Sequence, residues 1–156
     1  MQNNTINIST GQVDLSIVRD GKDAGVLSFN PKDTLFAERF YALLGELQKS
    51  LEDYKQRGIE LSKKGNDKSG APVNAEEHIA LQVELCNYLR EKTDKVFGDG
   101  TAQKLFGEVR NLDVYNQFFD ALMPYFQRAR AERVAMYTSD ASAKRNGKRS
   151  TRKRAK

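Results

Sequence analysis

The hydrophobic period of this chain changes once, at Asn30-Pro31, and that change limits what the chain can fold into. Before it, Val13, Leu15 and Ile17 alternate with Asp14 and Ser16, the period-two pattern of a half-buried strand. Residues 20–25, DGKDAG, predict a turn, and Val26, Leu27 and Phe29 a returning strand with Leu27 and Phe29 on one face. A two-stranded hairpin is marginal alone, so the rest of the chain must cover it. After Asn30-Pro31, Phe36, Phe40, Leu43, Leu47, Leu51, Tyr54 and Leu61 recur at steps of mostly three or four, which predicts an amphipathic helix over 32–63. At about 1.5 Å per residue it is about 45 Å long, more than a small core supports, so a second helix must pair with it.

The second helix follows the loop KKGNDKSGAP, residues 63–72. Asn74 with Glu77 resembles a capping box, and the apolar set Ile79, Leu81, Val83, Leu85, Cys86, Leu89 and Val96 carries a helix to about Val96. In the elbow VFGDGTAQKLFG, residues 96–107, two glycines permit a tight left-handed turn, Thr101 is placed to cap a short helix, and Phe97 and Phe106 are placed to pin it to the core. Asn111 or Asp113 starts the last helix, with Leu112, Tyr115, Phe118, Phe119, Leu122, Phe126, Val134 and Tyr137 as its stripe and Pro124 as a break in its ladder. The expected fold is mainly α: a small N-terminal β-hairpin, a long helical hairpin and a C-terminal kinked helix. The domain spans 13–138, between a polar segment 1–12 and a basic tail 139–156 that has no apolar pattern and is expected to be disordered.

Charge is divided unevenly. The chain carries +5, yet Lys144, Arg145, Lys148, Arg149, Arg152, Lys153, Arg154 and Lys156 sit together at its end without an acid among them. Removing those eight from 26 Lys and Arg leaves 18 against 21 acids, a net −3 for residues 1–143. The basic character belongs to the tail, not the domain. The tail has three readings: a solvated extension, a nucleic-acid or nuclear-targeting patch, and an electrostatic clamp for an acidic partner. It lacks an aromatic to stack a base, so only weak, non-specific phosphate attraction is supported.

Catalytic constellations are not legible. His78 and Cys86, the single histidine and cysteine, lie eight apart on one predicted helix, about 12 Å, too far for a nucleophile and its base. The same pair supplies too few soft ligands for structural zinc. Gly98-Asp99-Gly100 lacks the strand and Gly-Lys-Ser/Thr of a phosphate loop, and as an EF-hand it places Lys95 and Phe106 where carboxylates belong. No enzymatic activity, cofactor or metal is expected. No run approaches the roughly 20 apolar residues of a membrane span, the N-terminus has no signal-peptide pattern, and one cysteine fits a reducing cytosol.

Three stretches carry a resemblance: FNPKDTLFAERFYALLGELQK, GAPVNAEEHIALQVELCNYLREKTDKVFGDGTAQKLFG and FFDALMPYFQRARAERVAMYT. The most specific pieces are Asn30-Pro31-x-Asp33 with Phe36 and Phe40-Tyr41, the glycine elbow, and Phe118-Phe119 with Pro124 and Arg128-Ala129-Arg130. Over about residues 12–138 the chain resembles tail assembly chaperones of long-tailed phages and prophages of Gram-positive bacteria. The resemblance implies a helper that binds the tape-measure protein and lets tail-tube subunits polymerise around it; a location in the host cytoplasm and a homo-oligomer are further expectations. Phe118, Phe119, Met123, Tyr125, Phe126, Arg128 and Arg130 are the expected partner surface, combining adaptable Met, aromatic area and a cationic collar. The same aromatics have a plainer role available as the chain's own core. Other functions open to such a chain are a small virion structural protein of tail or head completion, and a basic-tailed nucleic-acid accessory protein.

Overall fold

Two strands, β1 (Val13–Arg19) and β2 (Lys22–Phe29), pair antiparallel in a two-stranded sheet, with Leu15 opposite Leu27 and Val13 opposite Phe29. The turn is tighter than DGKDAG suggests. Asp20 and Gly21, both in the left-handed backbone conformation at φ 53° and 76°, form a two-residue loop whose twist matches the right-handed twist of the strands, so β2 begins at Lys22. The second glycine of that stretch serves a bulge instead: Ile17 faces Gly25 and Val18 faces Asp23, leaving Ala24 as the extra residue. Ile17, Leu27 and Phe29 point from one face into the core.

The computed structural model describes the backbone of residues 4–153 and the side chains of residues 4–138. Four helices follow the hairpin: α1 (Thr34–Ser62), α2 (Ala75–Phe97), α3 (Thr101–Phe106) and α4 (Leu112–Lys153). The mainly helical fold with an N-terminal hairpin and a long helical hairpin is the one the period predicts. Asp33 starts α1 by accepting from the Leu35 amide at 3.0 Å. Phe40 and Phe126, both fully buried, stack at the centre with ring centroids 3.8 Å apart, and Phe29, Phe36 and Phe97 close around them.

The buried residues of α1 end at Leu47 and those of α2 begin at Leu85, so the outer half of the helical hairpin extends past the core. Side-chain pairs hold it together: Tyr88 and Ser50 hydroxyls at 2.8 Å, Arg57 bidentate on Glu84 at 2.9 and 2.8 Å, and Lys64 on Glu77. Asn74 does not form the capping box its spacing suggests. Its side-chain amide instead donates to the Leu61 carbonyl at 2.9 Å, tying the end of α1 to the start of α2.

Thr101 is likewise not the cap of α3. It is buried as the first helical residue, while Asp94, in the last turn of α2, accepts from the Gly100 and Ala102 amides. Asn111 starts α4 by accepting from the Asp113 amide at 3.0 Å. Helix α4 runs through Pro124 and continues as helix over 139–153, where the sequence predicts a disordered segment. Extending an existing helix needs no new nucleus, and the Ala, Lys and Arg there are good helix formers. The side chains of the eight basic tail residues lie outside the described residues.

Candidate functional site

Helix α4 buries Tyr115, Phe118, Leu122, Phe126 and Ala129, a single stripe at steps of three and four. Two residues expected on the partner surface therefore belong to the core. Phe118 packs edge-on to Phe97 and Phe106, each at 5.6 Å, and Phe126 lies against Phe40. Their spacing from Leu122 is four residues on either side, which places all three on one side of the helix. Phe119, Met123 and Tyr125 are half-buried at the borders of the stripe, while Arg128 and Arg130 are exposed.

The five remaining residues do not form one patch. Tyr125 sits edge-on to Phe29 at 5.8 Å, and Arg128, three residues on, follows it. Phe119, Met123, Arg130 and Val134, at steps of four, seven and four, share the other flank. Beyond Ala129, Arg133 donates to the Pro31 carbonyl at 3.1 Å and Glu132 pairs with Lys32 at 3.4 Å. From there Val134, Met136 and Tyr137 are exposed, and an open trough of about 510 Å³ runs along Gln127, Arg130, Ala131, Val134, Ala135 and Thr138.

Sequence reasoning missed a second surface. On the outer half of the helical hairpin Leu51, Ile59, Ile79 and Val83 are exposed; a separate open trough of about 510 Å³ there is lined by Leu61, Ala80 and Leu81 among polar and charged residues that include Arg57 and Glu84. The signal was present in the broad apolar set of α2, which one neighbouring helix cannot cover.

Cys86 is buried, which pushes its thiol up, and lies two helical turns from His78 on α2. In the glycine elbow the Gly100 and Ala102 amides, which a phosphate would need, already point at Asp94. Among the described residues no three His, Cys, Asp or Glu converge as a metal set, and no helix is long and apolar enough to cross a membrane. Burial pushes the Tyr115 hydroxyl up to about 12 from its ordinary 10, while that hydroxyl donates to the Cys86 carbonyl at 2.9 Å.

A folded-state pKa above the unfolded one means the protonated phenol is favoured in the fold. The stability it adds is complete below pH 10 and is lost as pH rises towards about 12. Melting temperature followed from pH 9 to 12 is expected to fall less steeply in Tyr115→Phe than in the wild type. Equal slopes would show that Tyr115 ionises as freely in the fold as outside it.

These elements define a mainly helical protein with an N-terminal β-hairpin and exposed apolar side chains on α1, α2 and α4. The chain belongs to DUF6673, a family of unknown function, whose model matches residues 24–156. Neither a curated protein nor a solved structure gives a significant match.

Proposed function

We propose that this chain is a non-enzymatic tail assembly chaperone of a phage or prophage, working in the host cytoplasm. It holds apolar helical segments of the tape-measure protein until tail-tube subunits enclose them. The observation that carries this reading is the flank of α4 from Phe119 through Met123 and Arg130 to Val134, apolar area beside a cation on a helix that leaves the core. A client helix laid along that flank meets adaptable Met and aromatic area, the chemistry of helix-in-groove recognition. The outer helical hairpin exposes further apolar side chains at Leu51, Ile59, Ile79 and Val83. The basic tail adds salt-sensitive attraction for acidic partners and weak, sequence-independent attraction for phosphate.

A chaperone leaves once the tube covers its client. Disrupting the gene is expected to yield particles without tails, and mass spectrometry of purified virions is expected to find none of this protein. Stoichiometric copies in the particle would favour a structural component of tail or head completion.

A further inference from the structure

Two features at the N-terminal end are left unused by the fold. The first is the outer edge of β1. The sheet has only two strands, and among the described residues no hydrogen bond reaches the β1 backbone from outside β2. That edge opens on a groove of about 560 Å³ whose near wall is Leu15–Arg19 taken consecutively. Its far wall includes Val109 and the α4 residues Val114, Phe118 and Leu122. Of the sixteen residues lining it only Arg19 and Asp20 carry charge, in a chain where 30% of residues do. Arg19 is already turned to the Gln103 and Lys104 carbonyls.

The second feature is the arm of residues 4–10. It is exposed throughout, and Ile6 and Ile8, 86% and 79% exposed, alternate with Thr5, Asn7 and Ser9 as a strand does. Residues 1–12 contain no charged side chain, matching the uncharged groove. Thr10 anchors the arm by accepting from the Asn30 amide at 3.0 Å, and Gly11, at φ 92°, lies against the Lys32 side chain. These two contacts oppose the reversal at Gly11-Gln12 that the arm would need to fold back onto its own β1.

We propose that the arm of a second copy of this chain adds to β1 as a third strand, seating Ile6 and Ile8 in the groove. Open backbone groups on an edge strand supply the pairing, and the alternating side chains supply the fit. Area decides the form of the exchange. A strand about 20 Å long and about 10 Å deep covers roughly 200 Å² of groove and as much of itself. One arm buries roughly 400 Å², far below the ~1,000 Å² of a specific interface, whereas two reciprocal arms approach it before main-chain pairing is counted. The assembly is therefore a two-fold dimer with both arms exchanged.

Light scattering on the full chain over a dilution series, combined with hydrogen exchange of the β1 amides, tests this. The wild type is expected to show twice the chain mass and protected outward amides on β1, both lost on dilution. Ile6→Lys/Ile8→Lys is expected to give a monomer with unprotected β1 and an unchanged helical circular dichroism spectrum. Val109→Lys, at a half-exposed position on the far wall, is expected to give the same from the groove side. A dimer that survives the double arm variant would overturn the proposal. A wild type monomeric at every concentration would overturn it too. In that monomer, arm-dependent protection of β1 would assign the groove to the chain's own arm, and unprotected β1 would leave it to a strand of a different protein.

Discussion

Phe126→Ala is expected to lower the free energy of unfolding by about 3–5 kcal/mol, the usual cost of removing a fully buried phenylalanine. For a chain of this size that is a fall in melting temperature of roughly 6–20 °C. The side chain is completely buried, lies parallel to Phe40 at 3.8 Å, and has Phe29, Phe36 and Tyr41 at 5.7 to 6.4 Å. These rings come from β2, α1 and α4, so the cavity opens where three elements meet and no single one can close it. Phe126→Glu is expected to prevent folding, because the rings around the position leave a buried carboxylate without a cation to pair with. Thermal unfolding followed by circular dichroism checks both, and an unchanged melting temperature for Phe126→Ala would remove this residue from the core.

Gly107→Ala is expected to cost about 1–3 kcal/mol through backbone strain and one steric clash. Gly107 has φ 60° and ψ −143°, and a Cβ built there stands 2.9 Å from Arg19 Nε and 3.0 Å from its Cζ. Arg19 cannot simply withdraw, since its guanidinium donates to the Gln103 and Lys104 carbonyls and joins β1 to α3. The Gly107 carbonyl also accepts from Arg90 at 2.7 Å, so movement of this residue disturbs α2 as well. A double-mutant cycle with Arg19→Ala separates the two contributions: the steric part disappears without the Arg19 side chain, and the strain remains. Full additivity of the two substitutions would show that no clash exists.

How far the sequence reveals this fold depends on how local each cause is. The helices were legible because α1 and α2 repeat their own apolar spacing, and their observed limits fall within two residues of those the period predicts. The roles of Asn74 and Asp94 were not, because each is set by a partner elsewhere in the chain. Asn74 has the spacing of a capping box but answers to the end of α1, and Asp94 caps a helix that begins seven residues after it. On α4 the stripe itself was legible. Whether Phe118 and Phe126 or Phe119 and Met123 face outward depends on where β2, α1 and α3 press against it, and periodicity carries no such information. Ile6 and Ile8 stood in plain view, but in a segment whose Asn, Ser and Thr content masks their alternation.

The reading of α4 as a client-binding surface meets its most direct test in capture of the tape-measure protein after co-expression. Met123→Glu/Val134→Glu alters the open flank alone, at one half-buried and one exposed position, and leaves Phe118, Leu122 and Phe126 in place. The wild type is expected to retain the tape-measure protein through purification, and the double variant to lose it while unfolding cooperatively near the wild-type temperature. A folded double variant that still retains the tape-measure protein, or a wild type that never does, would contradict the account.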